Sequence, residues 1–119
     1  MKNQPFLERL GFAWAGVRFA FANERSVRAQ VLLGILLLIA LAALRPPAIW
    51  WGACVLSAAL VLATELINTA LERLIDHLHP ERHERIRSVK DCAAAAVLCA
   101  STAAAVVAVL TVLVAIGWL

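Results

Sequence analysis

Long apolar runs broken by short charged islands set the plan of this chain. Residues 29–44, 46–64 and 92–119 carry no charged side chain. A helix crossing a hydrocarbon core of about 30 Å needs roughly 20 such residues. The first run is slightly short, but Arg28 and Arg45 can snorkel from its ends. The second can extend by a turn, and the third has residues to spare. The pattern predicts three transmembrane helices, over 28–45, 48–78 and 91–118. Ahead of them Phe6, Leu10, Ala13, Trp14, Val17 and Phe21 recur at helical spacing, with Glu8, Arg9, Arg18 and Asn23 away from most of that stripe. That arrangement predicts an amphipathic helix over 5–24 lying in the membrane interface, with Pro5 in its first turn.

Punctuation between the runs is equally readable. Asn23-Glu24-Arg25-Ser26 marks a bend, with Ser26 as the expected N-cap of the first span. Pro46-Pro47 stops the first span and starts the second. The second helix should run past the membrane, because Leu66, Ile67, Leu71, Leu74 and Ile75 keep a helical pattern until His79-Pro80 ends it. Residues 81–89 are expected as a short charged loop, with Lys90-Asp91 at the mouth of the third span. The alanine-rich surface of that span, with Ser101, permits close helix packing.

Composition narrows the class. At 119 residues and 63% hydrophobic, the chain is one domain and too apolar for an ordinary soluble one. Of its eleven basic residues, five precede the first span, one (Arg45) lies in the first loop, and five lie between the second and third spans. The positive-inside rule therefore puts the N-terminus and the 73–90 connection in the cytoplasm. Basic residues interleaved with acids, and no binding motif, argue against nucleic acid as a partner. The first apolar run starts late and follows a charged segment, so it is read as a span and not as a cleaved signal. Cys54, Cys92 and Cys99 are odd in number and lack a zinc-type spacing, so buried thiols are the expectation.

The chemistry gathers on one helix. Glu65, Asn68, Glu72 and Asp76 follow the second apolar run at spacings of three, four and four. At 3.6 residues per turn these positions share an arc of roughly 80°. Three carboxylates on one stripe repel one another unless a cation or proton is shared, and ionisable groups at a membrane mark functional sites. No phosphate-binding glycine loop, nucleophile elbow or zinc-protease helix is present. The set that remains suits Mg²⁺, which binds through one or two carboxylates and substrate phosphates. Glu65, the deepest acid, could meet a lipid hydroxyl as general base. Glu72, two turns further out, could meet a metal-bound polyphosphate; Lys90 could offset phosphate charge, and Asp76 or Asp91 could touch a nucleoside. Taken singly, each has a plainer reading. Glu65 alone could couple protons in a small exporter, Glu72 and Asp76 could pair with Arg73 or Arg87, and Glu24 could be a solvated cap. His77, His79 and His83 do not join the acidic stripe and are expected at the surface.

The stretch Glu65-Leu66-Ile67-Asn68-Thr69-Ala70-Leu71-Glu72, with Asp76 beyond it and Lys90-Asp91-Cys92-Ala93-Ala94-Ala95-Ala96-Val97 opening the last span, resembles the signature of the small prokaryotic diacylglycerol kinases, a family that includes undecaprenol kinases. Asn23-Glu24-Arg25 and Trp14-Ala15-Gly16-Val17-Arg18 match its pattern too, so the likeness runs from about Gly11 into the third span. The resemblance implies an integral-membrane homotrimer of the bacterial inner membrane, with active sites shared between subunits on the cytoplasmic side. It implies transfer of the γ-phosphoryl group of MgATP to a lipid alcohol, diacylglycerol or undecaprenol. By the same resemblance Glu65 is the catalytic base with Asn68 beside it, and Glu24 and Glu72 hold the metal. Lys90 then contacts phosphate, and Asp76 and Asp91 lie around the nucleoside. Phe12 and Arg82 depart from the tyrosine and the aromatic residue that some members carry there, and neither change removes a charged catalytic group.

Overall fold

The computed structural model describes residues 2–81 and 83–119, so the Arg82 departure lies outside the described residues. Four helices follow in order: α1 (Phe6–Asn23), α2 (Arg25–Leu44), α3 (Ala48–Leu78) and α4 (Glu84–Ala115). No strand occurs among the described residues. Helices α2, α3 and α4 are long and apolar enough to cross a membrane. At 1.5 Å per residue, the 31 and 32 residues of α3 and α4 reach roughly 46–48 Å, about 16–18 Å more than a hydrocarbon core. That surplus carries the charged residues, so α3 and α4 share one polar end.

A single residue joins α1 to α2. Glu24 is extended (φ −119°, ψ 117°); its N–H donates to Ala20 O at 2.7 Å, closing α1, and its carbonyl accepts from Arg28 N–H at 3.2 Å, opening α2. Arg28 Nη1 donates to Phe21 O and Ala22 O at 2.8 and 3.1 Å, so two last-turn carbonyls of α1 are satisfied by a side chain from the next helix. Ser26 is therefore not the cap: Glu24 holds that place and Ser26 lies inside the first turn of α2. The far turn is built by Arg45, in the left-handed region (φ 52°, ψ 54°), with its N–H on Leu41 O at 2.9 Å. Pro46 bars the right-handed helical region to the residue before it, which ends α2 there.

The connection ahead of the third span differs from expectation: helix α4 begins at Glu84, so most of the expected loop over 81–89 is helical. His83 caps it, its Nδ1 accepting the Arg85 backbone N–H at 3.1 Å, and Glu84 lies in a first turn that favours acids. Lys90 and Asp91 thus sit nearly two turns inside α4, while His77, His79 and His83 are all exposed.

Helix α3 is central, packing along α4 and, less extensively, against α2 and α1. Its buried row is Cys54, Val61, Glu65 and Thr69. Opposite lie Leu41 and Val27 of α2, Ala20 of α1 and Thr111 of α4 as the other well-buried members. Thr111 Oγ1 donates its one hydrogen to Val107 O at 2.7 Å, so the 3.2 Å contact with Cys54 Sγ is an S–H donated to Thr111. Leu32, Leu33, Leu36, Ile39, Leu56, Leu60, Leu98 and Val109 remain exposed, a surface fit for lipid or for another protein and not for water.

Candidate active site

Helical spacing brings Glu65, Asn68, Glu72 and Asp76 along one side of α3, and burial falls along the row. Glu65 is 4% exposed, although it is an acid, and takes no side-chain hydrogen bond among the described residues. Asn68 is half-buried, and its Oδ1 is sealed from solvent without a donor. A sealed, unpaired acceptor costs about 1–3 kcal/mol, so it marks a position suited to a donor the chain does not itself supply. Glu72 is half-buried and free of ion pairs among the described residues, whereas Asp76 is well exposed.

Two ion pairs tie other elements to this row. Lys90 Nζ on α4 donates to Asp76 Oδ1 on α3, and two of its three hydrogens remain for other acceptors. Arg73 of α3 donates through Nε at 3.0 Å and Nη2 at 2.7 Å to a single oxygen, Oε1 of Glu24. The same guanidinium lies 5.3 Å from the centroid of the Phe19 ring on α1, within cation–π range. The α1–α2 elbow is thereby fastened to α3 one residue beyond Glu72.

Six of the seven residues singled out from the sequence are thus brought into one tract at the polar end: Glu24, Glu65, Asn68, Glu72, Asp76 and Lys90. Asp91 is exposed beside Lys90 and makes no ion pair among the described residues. The plainer pairings of Glu72 or Asp76 with Arg73 or Arg87 do not form; Arg73 goes to Glu24 and Asp76 to Lys90. No trio of His, Cys, Asp and Glu is arranged to hold a metal among the described residues. The donors still suit Mg²⁺ shared with a polyphosphate, because Glu72 and Oε2 of Glu24 are carboxylate oxygens without partners among the described residues. A cleft of about 640 Å³ opens between the end of α3 and the start of α4, lined by Asp76, His79, His83, Glu84, Arg87 and Lys90 among others.

Arg73 was not foreseen as part of this site. Its signal lies in the spacing: the buried row of α3 runs Val61, Glu65, Thr69 in steps of four, and the next step is residue 73.

The sequence pattern of prokaryotic diacylglycerol kinase matches residues 11–112, which include every one of these positions. The chain belongs to the prokaryotic diacylglycerol kinase family. It is 41% identical over 97 residues to a diacylglycerol kinase of Synechocystis sp., a match covering 81% of this chain and 55% of that protein. It is 32% identical over 94 residues to the diacylglycerol kinase of Escherichia coli strain K12, covering 79% and 77% of the two chains. Against the diacylglycerol kinase of Helicobacter pylori strain J99 the identity is 30% over 83 residues, covering 70% and 65%. The chain thus spans about half the length of the Synechocystis relative and more of the others.

Proposed function

We propose that this protein transfers the γ-phosphoryl group of MgATP to diacylglycerol, giving phosphatidic acid. The observation that carries the reading is a buried, unpaired carboxylate, Glu65, heading a row of polar groups that runs out of an apolar bundle. The names of the family's relatives point to the same acceptor. In this reading Glu65 receives the proton of the lipid hydroxyl as that oxygen bonds to the γ-phosphorus and the bond to the β-phosphate oxygen breaks. Asn68 lies one turn further out, where its unpaired Oδ1 can orient a hydroxyl or a water. Glu24 and Glu72 hold the metal, and Mg²⁺, when bound, neutralises charge on the β- and γ-phosphates. Lys90 keeps its bond to Asp76 and turns a second hydrogen to phosphate, while Asp76, lining the cleft between α3 and α4, and Asp91, next to Lys90 in sequence, lie about the nucleoside.

Assembly and placement complete the proposal. Three thin membrane helices do not enclose both ATP and a lipid, and Glu72, Asp76 and Asp91 keep exposure at an open polar end. A homotrimer with sites shared between neighbours supplies the missing wall, with α1 along the interface of the bacterial inner membrane. The polar end then faces the cytoplasm, a placement that the distribution of basic residues supports.

The test is MgATP-dependent phosphorylation of diacylglycerol and undecaprenol side by side by the purified protein, with Glu65→Gln as the blank. Preference for diacylglycerol, lost in the variant, is the expected result. Preference for undecaprenol keeps every residue's role and replaces the acceptor. A protein that binds no MgATP refutes the kinase reading and returns a proton-coupled exporter built on Glu65 to consideration.

A further inference from the structure

We propose that Arg73 is a positioning residue for the metal-nucleotide, acting through Glu24. The inference rests on the reading above, in which Glu24 and Glu72 hold the metal. Three features of the ion pair carry it. First, Nε and Nη2 of Arg73 both converge on Oε1 of Glu24. An end-on pair of parallel bonds would occupy both oxygens; this arrangement leaves Oε2 and its lone pairs for a divalent cation. Second, the guanidinium is braced. It stands 5.3 Å from the centre of Phe19, and its side chain is half-exposed while Glu24 is 24% exposed. The carboxylate is thus held where a free, one-residue elbow would let it wander, and ordering a side chain in advance removes that entropic cost from binding. Third, Arg73 follows Glu72 in sequence and stands, itself exposed, one step of four beyond the buried Val61, Glu65 and Thr69 of α3. Two acids at one metal position repel each other before the metal arrives, and a fixed cation bonded to one of them offsets that repulsion.

Arg73 does not oppose loading. A metal-bound triphosphate carries net negative charge, so a fixed guanidinium attracts the complex as a whole even though it repels the bare metal ion. Because Glu24 stays partly open to water, the effect is moderate: loss of Arg73 should weaken binding roughly five- to tenfold, about the size of one partly exposed charge-assisted hydrogen bond.

The experiment is equilibrium binding of Mn²⁺ with a non-hydrolysable ATP analogue to the full chain in detergent, followed by the electron paramagnetic resonance of free Mn²⁺. Arg73→Ala should raise Kd roughly five- to tenfold, whereas Arg73→Lys, which keeps the charge but neither the pair of converging donors nor the planar group over Phe19, should recover only part of the loss. Arg73→Gln keeps part of the stem and a donor amide without the charge, and it carries the alanine expectation if the alanine variant does not fold. In a Glu24→Gln background the Arg73→Ala change should add no more than about twofold, since the partner it positions is already gone. Steady-state assays should show the change in KM for MgATP with kcat little altered. Unchanged Kd in Arg73→Ala or Arg73→Gln overturns the inference and leaves a purely structural tie. A loss of the same size with Glu24 already removed also overturns it, because Arg73 would then act on phosphate directly. If the wild-type chain binds no metal-nucleotide, the kinase reading fails and this inference falls with it.

Discussion

Replacing Glu65 by Gln separates chemistry from binding more sharply than any other change in this molecule. The side chains are nearly isosteric, and Glu65 is 4% exposed with no ion pair or side-chain hydrogen bond among the described residues. The substitution therefore breaks no observed contact and makes no cavity, and a neutral amide is easier to bury than a carboxylate. What is lost is the proton acceptor. A positioned general base contributes about 10²–10⁴-fold, which corresponds to about 3–5 kcal/mol of barrier at 1.36 kcal/mol per decade. Glu72 follows seven residues later on the same helix, about 10 Å along its axis, so the metal-nucleotide should not register the change. Single-turnover phosphorylation of diacylglycerol, measured beside Mn²⁺-nucleotide binding, checks both halves. The expected result is a rate lower by at least about 10² with Kd within about twofold of wild type. Turnover within a few-fold of wild type would remove Glu65 from the reaction. A parallel loss of nucleotide binding would show that its role is to build the site, not to move a proton.

Other changes probe the same structure at different depths. Glu72→Gln should weaken Mn²⁺-nucleotide binding as well as rate and raise the Mg²⁺ concentration needed for half-maximal activity; an unchanged requirement would count against Glu72 as a ligand. Thr111→Val should cost about 0.6 kcal/mol, and no more than about 1.7, by removing the one hydroxyl that accepts from Cys54 across α3 and α4, and unfolding in mixed detergent micelles would report it. Arg45→Gly should raise the thermal midpoint slightly, because a left-handed residue with a Cβ costs about 1–2 kcal/mol and the added freedom of glycine returns about 0.5–1 of it. A lower midpoint would mean that the Arg45 side chain contributes more than its backbone strain costs.

Several layers of this protein were legible one residue at a time. The charge-free runs located three helices of membrane-crossing length, because a bilayer demands length and apolarity before anything else. The row Glu65, Asn68, Glu72, Asp76 could be drawn in advance because helical periodicity alone puts those positions on one side of α3. Charge misleads over residues 84–89, where the expected loop is the first part of α4. A helix leaving a membrane has no need to be apolar, and a histidine cap with an acid in the first turn starts one among charged residues. Ser26 failed as a cap for a related reason: in a one-residue elbow, the carbonyls of α1 are satisfied from across the bend by Arg28, and the cap falls at the only extended residue, Glu24.

By itself, then, the sequence determined what repeats along a helix: the spans, the polar stripe, and the family to which the chain belongs. Partnerships between elements were decided only by tertiary structure. Nothing local distinguishes Arg73 pairing with Glu24 from pairing with Asp76 or Glu72, nor Lys90 pairing with Asp76 from pairing with another acid near the polar end. Side-chain spacing is set by backbone periodicity within one helix, but which charges meet across helices depends on crossing geometry, on the bend at Glu24, and on how far α3 and α4 extend past the apolar bundle.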